Sequence, residues 1–273
     1  MRYWSLLIPV MVALTSCQFG GNAQKQDAPD IFEDTIAYTV EKFHQRGPDC
    51  SDKADSACTV VSVKYPVFKG QDALNDTIVS KLTGIFVMQG KPDTSIALMA
   101  KNFLKSYTDF KKSDPTSVMY YTMDTYVKVI SQDSALIALE YGGYSFQGGA
   151  HGASFTGFIN WDPDTKKAVY LKDILVENYK APLNKIAEGI FRKNEKLKDT
   201  STLARDYFFK DNKFALNENY LITPIGIRFM YNQYEIKPYA AGQTELILIW
   251  DTIRGLVKPN AIVAPYVKKD AGI

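Results

Sequence analysis

The chain has 273 residues, 46% hydrophobic and 13% aromatic, a composition that supports a well-packed globular body. Its 32 Lys and Arg nearly balance 30 Asp and Glu. That leaves no electrostatic footprint for nucleic acid and no polybasic patch for anionic lipid, so neither class of partner is expected.

In chain order, the first signal is N-terminal. Arg2 supplies a positive charge, Tyr3 to Leu14 form an apolar run, and Leu14-Thr15-Ser16-Cys17 closes it. A basic start, a short apolar stretch and small residues at a cut describe a secretory signal. Cysteine at the cut makes residues 1–16 read as a bacterial lipoprotein signal peptide, with Cys17 acylated. The run is about twelve residues, short of the roughly twenty that span a bilayer. The membrane is therefore expected as a partner through a lipid anchor, which places the chain in the bacterial cell envelope, on the periplasmic or extracellular side. Residues 17–30, with Gly20, Gly21 and Asn22, read as a flexible tether. With Cys17 set aside, Cys50 and Cys58 remain as a pair, and an even remainder in an exported chain points to a disulfide.

Folded structure is expected from Ile31. Ile36 to Phe43 and Thr59 to Phe68 are rich in β-branched and aromatic residues and predict strands. Leu74, Ile78, Leu82 and Ile85 recur at helical spacing. So do Ile96, Ala100, Phe103, Tyr107 and Phe110, with Asp93 or Thr94 placed to cap that helix. Val118 to Ile130 and Ser134 to Tyr144 predict a hairpin. A third strand through Phe155, Ile159 and Trp161 follows, then a turn at Asp162-Pro163-Asp164-Thr165 and a return strand at Val169 to Leu171. The whole reads as an antiparallel meander. Leu183, Ile186, Ala187, Ile190 and Phe191 mark a third helix. Tyr207 to Phe209 reads as a short helix or turn. Short strands follow at Phe214 to Leu216, Tyr220 to Thr223, Ile227 to Tyr231 and Thr244 to Trp250. This order favours α+β, with antiparallel sheets and packed helices, over a doubly wound parallel sheet.

The sharpest local motif is Gly148-Gly149-Ala150-His151-Gly152. Its glycines allow positive φ and close backbone approach. Two readings stand: a loop that presents an imidazole, or a tight bend in which His151 bonds to nearby backbone. The motif lacks the lysine and helix start of a phosphate loop. Only two histidines occur, His44 and His151, with no His-Glu-x-x-His helix, so no metal site and no cofactor are expected. Ser145 and Ser154 lie near His151, but no Gly-x-Ser-x-Gly elbow occurs. Glu140, Asp162, Asp164 and Asp173 lie around the meander and keep a glycosidase-like pair possible by count. Seventeen tyrosines include a cluster at Tyr120, Tyr121, Tyr126, Tyr141 and Tyr144. Exposed tyrosines suit protein or sugar contact, since they offer area at low entropy cost.

The stretch Tyr141-Gly-Gly-Tyr-Ser-Phe-Gln-Gly-Gly-Ala-His-Gly152 resembles the Gly-Gly-Ala-His signature of a bacterial envelope family. That family includes the extracellular region of the lysozyme-sensing anti-sigma-V factor and the N-terminal, non-catalytic region of a peptidoglycan deacetylase. Asn160-Trp161-Asp162 and Val169 to Leu175 resemble its strand, turn and Leu-x-Asp-Ile step. Ile225 to Phe229 and Tyr234 to Gly242 resemble its C-terminal half. The resemblance spans about residues 36–259. It implies two consecutive α+β modules, residues 31–147 and 148–273, and an envelope binding or sensing role. Neither deacetylation nor sigma-factor sequestration is expected to carry over, because no catalytic domain follows and a lipid anchor stands in place of a membrane span. The expected function is non-enzymatic binding of a ligand such as a lysozyme-like protein or peptidoglycan. The candidate contact residues are Gly148, Gly149, His151, Gly152, Tyr141 and Tyr144. The alternative is a hydrolase of envelope polymers using His151 and a nearby carboxylate.

Overall fold

The computed structural model describes residues 36–87 and 90–269. The signal segment, Cys17 and the tether lie outside the described residues. The first sheet contains β1 (Tyr38–Arg46), β2 (Val60–Phe68), β3 (Thr122–Gln132), β4 (Ile137–Phe146), β5 (Ala153–Asp162) and β6 (Lys167–Ala168), in that spatial order. All neighbours are antiparallel except β2 and β3, which pair in parallel. Parallel neighbours need a long crossover. Here α1 (Asp72–Gly84) and α2 (Ile96–Ser113) supply it.

The helical stripes explain where the crossover packs. Leu74, Ile78 and Leu82 of α1, and Ile96, Met99, Ala100, Phe103 and Tyr107 of α2, are buried on one core with Val61, Val63, Met123, Val127 and Leu139 of the sheet. Ser95, rather than Asp93 or Thr94, caps α2, its side-chain oxygen accepting from the Leu98 N–H at 3.2 Å. A capping oxygen satisfies one of the helix's orphan donors.

The remaining chain builds a second body. It contains α3 (Leu171–Ile174), α4 (Lys180–Asn194), β7 (Tyr220–Thr223), β8 (Gly226–Tyr231), β9 (Thr244–Ile249), α5 (Trp250–Ile253) and α6 (Ala264–Lys269). The strands β7, β8 and β9 form an antiparallel sheet in that order. Leu183, Ala187 and Phe191 of α4 pack with Leu221, Ile227, Phe229, Leu246, Leu248 and Trp250. The fold is therefore α+β with two modules, each with its own sheet and core. The Gly148–Gly152 loop joins β4 to β5 within the first sheet, and that sheet continues to Ala168. The boundary expected at 147/148 falls inside that connection.

Strand β4 binds the modules together. Side chains alternate across a strand. Ile137 and Leu139 enter the first core, while Ala138 and the preceding Leu136 enter the second. A strand with a core on each face needs an unbroken apolar run, and Leu136 to Leu139 is one. Asparagine amides make a second join. Asn160 on β5, 6% exposed, donates to the Tyr220 carbonyl at 2.9 Å and accepts from the Ile222 N–H at 2.7 Å. Asn232, just after β8, accepts from the Thr156 N–H at 2.8 Å and donates to the Thr156 carbonyl at 2.9 Å. Each amide copies the donor–acceptor pair of a peptide, so each extends a sheet edge by one rung. Tyr126 adds a polar tie by donating to Glu140 at 2.9 Å, and Glu140 pairs with Arg228 of β8 at 3.3 Å. Burial first, then the Glu140 bond, push the Tyr126 phenol up to about 12, so it remains a donor at neutral pH.

Several expected elements take another form. The first strand starts at Tyr38 and runs on to Arg46, and β3 starts at Thr122, leaving Val118 98% exposed. Val169 to Leu171 is not a strand. β6 ends at Ala168, and Leu171 opens α3 because the Asp173 carboxylate accepts from the Tyr170 N–H at 2.8 Å. That bond gives the Leu171-Lys172-Asp173-Ile174 step its physical basis: it closes the turn whose ends, Leu171 and Ile174, are buried. Phe214 to Leu216 and Tyr207 to Phe209 form neither strand nor helix, and Trp250 begins α5 rather than ending β9.

Cys50 and Cys58 form the expected disulfide, and both are buried beside Val60. Arg46 fastens the loop from outside. It pairs with Asp55 at 2.9 Å and donates to the carbonyls of Ser51, at 3.2 Å, and Lys53. Replacing both cysteines with serine is expected to lower stability by about 2.5 kcal/mol, the chain-entropy value for so short a loop. Urea denaturation checks this. An unchanged midpoint would show that the polar contacts of the loop hold it without the bridge.

Candidate functional site

The Gly148–Gly152 loop lies at the mouth of a cleft of about 530 Å³. Gly148 and Gly149 take φ of 95° and 88°, a region that side-chain-bearing residues avoid. Gly152 is packed against the Tyr144 ring, which occupies the space a Cβ would need. These constraints turn the chain sharply after β4 and place His151 at the cleft wall.

His151 combines the two readings left open by the sequence. Its Nδ1 lies 3.1 Å from the Gly152 carbonyl oxygen, so the neutral ring carries its proton there. Its Nε2 is then an acceptor, 3.2 Å from the Tyr234 hydroxyl. The imidazole stacks on Tyr239, with ring centroids 3.9 Å apart and planes at 18°. The Tyr239 hydroxyl donates to the Gly152 carbonyl at 3.1 Å. The ring is thus bonded to local backbone and also lines an open cleft.

Tyr234 and Tyr239 come from the turn after β8, 83 residues beyond His151 in the case of Tyr234. Tyr234 is 57% exposed and held at φ 66°. That conformation costs on the order of 1 kcal/mol for a bulky residue. The turn is closed by Glu235, which accepts from the Asn232 N–H at 2.8 Å and from the Asn217 amide at 2.6 Å. The strained turn projects an aromatic ring beside His151.

The other walls are Phe86 and Phe155, with Ser145, Gln147, Ser154 and Gln233 as polar groups. No charged side chain lines this cleft among the described residues. Two of its polar atoms lack partners among the described residues: Ser145 Oγ, on a residue 6% exposed, and Gln233 Oε1. A buried polar atom without a partner costs about 1–3 kcal/mol. A ligand hydroxyl or amide entering the cleft could relieve that cost.

The sequence candidates are distributed unequally. Gly148, His151 and Gly152 line the cleft. Gly149 is exposed at the loop tip, and Tyr144 supports Gly152 from the side. Tyr141 packs in the first core against Phe155, at 5.7 Å between ring centroids, and presents no free face. Glu140 is occupied by Tyr126 and Arg228, while Asp162 accepts from the Asp164 and Thr165 backbone within its turn. Neither carboxylate lines the cleft beside His151. Tyr234, Tyr239, Gln147, Gln233 and Phe86 were missed. Tyr234 and Tyr239 lie in a stretch singled out by family resemblance, but nothing local ties them to the glycine loop.

A second constellation escaped the sequence reading. His44 lies with Nδ1 3.0 Å from Ser62 Oγ and Nε2 3.2 Å from Asp55. Cross-strand register between β1 and β2 sets the first contact. The His44 and Asp55 side chains are 44% and 53% exposed, and Asp55 is shared with Arg46. Exposed pairs of this kind contribute at most about 1 kcal/mol. The group serves to fasten the disulfide loop to β1.

Two modules, two sheets and an aromatic cleft at the β4–β5 loop define the class of protein. Comparisons with known proteins agree on the two-module fold. Residues 52–154 match the family model for Deacetylase PdaC, and residues 172–251 match that for Protein of unknown function (DUF3298). A crystal structure of a DUF3298 family protein from Pseudomonas aeruginosa PAO1 shares 23% identity at a TM-score of 0.67, covering 83% of this chain and 96% of that one. A member of the same family from Bacteroides fragilis NCTC 9343 shares 21% identity at a TM-score of 0.66, covering 85% and 98%. The resemblance read from the glycine loop and the C-terminal half is therefore shown, and the solved structures share the fold. No curated protein matches the chain.

Proposed function

We propose that this chain is a non-enzymatic, lipid-anchored binding protein of the bacterial envelope, and that the His151 cleft binds a glycan segment of the cell wall. The carrying observation is the cleft lining: stacked His151 and Tyr239, exposed Tyr234, and neutral amides and hydroxyls with no charge among them. Sugar rings present apolar C–H faces that suit aromatic walls, and hydroxyl edges that suit amides and serines. Small-ligand sites are apolar clefts with a few placed polar groups, and this cleft is of that size. A strongly basic protein such as lysozyme would instead be steered by an acidic surface. The cleft offers none. The hydrolytic alternative requires an acid or base within reach of His151. The residues bonded to its ring are Tyr234 and Gly152.

Titration calorimetry of the full chain with an N-acetylglucosamine tetramer and with uncross-linked peptidoglycan strands tests the proposal. Binding without bond cleavage is expected. Tyr239→Ala, which removes both the stacked ring and the Gly152 contact, is expected to weaken it about tenfold, or 1.4 kcal/mol. No binding by the parent chain, or full affinity in the variant, would overturn the assignment. Release of shortened sugars would favour the hydrolase.

A further inference from the structure

Phe86 and Gln147 line the His151 cleft on one side and a second cavity of about 200 Å³ on the other. The two cavities are therefore neighbours, with a phenyl ring and an amide in the wall they share. The second cavity differs in chemistry. It lies between α1 and α2, with Met99 and Phe103 among its apolar walls, and Asp93 is its one charged group among the described residues. Its hydroxyls are already committed: Thr83 donates to the Ser80 carbonyl and Ser106 to the Phe103 carbonyl.

Asp93 is held in place but not neutralised. The Asn102 amide donates to its Oδ1 at 2.7 Å. Among the described residues, Oδ2 receives no hydrogen bond and no lysine or arginine pairs with the carboxylate. A half-buried, oriented carboxylate in an otherwise uncharged cavity selects for a cation that can donate hydrogen bonds.

We infer that the two cavities together take an extended glycan with a neutral residue in the His151 cleft and a primary ammonium in the second cavity, where Asp93 is its counter-charge. This rests on the glycan assignment above. The ammonium could be carried by an amino sugar or by the diamino acid of an attached peptide. The chemistry at Asp93 is the same for both. Gln147, shared by the two cavities and exposed, lies where the linkage between the two units would pass.

The test compares three probes on the full chain: an N-acetylglucosamine tetramer, the same tetramer lacking some acetyl groups, and a glycan strand with free diamino-acid amines. At least one amine-bearing probe is expected to bind about fivefold tighter than the neutral tetramer, the upper end for a partly exposed ion pair. Whichever amine probe gains identifies the source. The gain is expected to shrink as salt is raised. Asp93→Asn, which keeps the Asn102 bond but removes the charge, is expected to abolish the gain. Equal binding of all three probes, or a preference that survives Asp93→Asn, overturns the inference while leaving the glycan site standing. Binding of none of them overturns both.

Discussion

Phe191→Ala is expected to destabilise the second module by about 3–5 kcal/mol, the usual range for emptying a buried aromatic site. Phe191 is fully buried on α4. Its ring meets Tyr207 and Phe214 at 5.1 Å and Phe209 at 5.5 Å between centroids. Those three residues belong to the irregular segment between α4 and β7, which has no ladder of its own to hold it. Tyr207 also donates to Glu195 at 2.9 Å, and Glu195 pairs with Lys237. Removing the central ring takes away the partner all three share and leaves Phe209 against Tyr207 and Phe214 over an emptied site. The effect is measured by urea denaturation followed by far- and near-ultraviolet dichroism. A loss below about 1 kcal/mol would mean that the segment closes over the cavity and that the cluster is not the module's keystone.

Asn160→Ala is expected to cost about 2–4 kcal/mol, because two buried backbone groups, the Tyr220 carbonyl and the Ile222 N–H, lose their partner at once. In an antiparallel ladder, alternate residues point their bonds away from the neighbour. Tyr220 and Ile222 turn theirs toward β5, where the Asn160 side chain meets them. Asn160→Asp is the sharper variant. A carboxylate can accept from Ile222 but cannot donate to Tyr220, and it brings a charge to a site 6% exposed. Both variants should lower the melting temperature, the aspartate more at neutral pH than at pH 4, where protonation restores a donor. An aspartate variant as stable as the parent at neutral pH would rule out the rung as a structural tie.

The legible parts of the fold were those set by local period. The stripes Leu74-Ile78-Leu82 and Leu183-Ala187 named their helices and buried faces, because a helix records its environment every three or four residues. The β3–β4 hairpin was legible for the same reason at period two. The parallel pairing of β2 with β3 was not, since register partners such as Val60 and Thr122 are brought together by the crossover and by nothing in their own sequence. Val169 to Leu171 was misread because its β-branched and aromatic content speaks for strand, and the deciding bond comes from Asp173, three residues beyond Tyr170. The site divides in the same way. The glycine loop is a local signal of unusual backbone, so it singles out His151, which the fold places at the cleft wall. Tyr234 and Tyr239 reach it through tertiary structure alone, and no spacing rule links them. Tyr141 and Tyr144 looked equivalent in sequence, yet one fills the core and the other rests on Gly152.

The single parallel pair also governs how the chain can assemble as it is made. Thr59 and Tyr121, 62 positions apart, meet where β2 joins β3, the Thr59 hydroxyl accepting from the Tyr121 N–H at 3.1 Å. Until both helices and the following strand have folded against it, the β1–β2 hairpin has no inner neighbour. An unpaired strand edge is a template for other chains. Lys64, on the strand that β3 later pairs, puts a charge on that edge until the finished sheet conceals it.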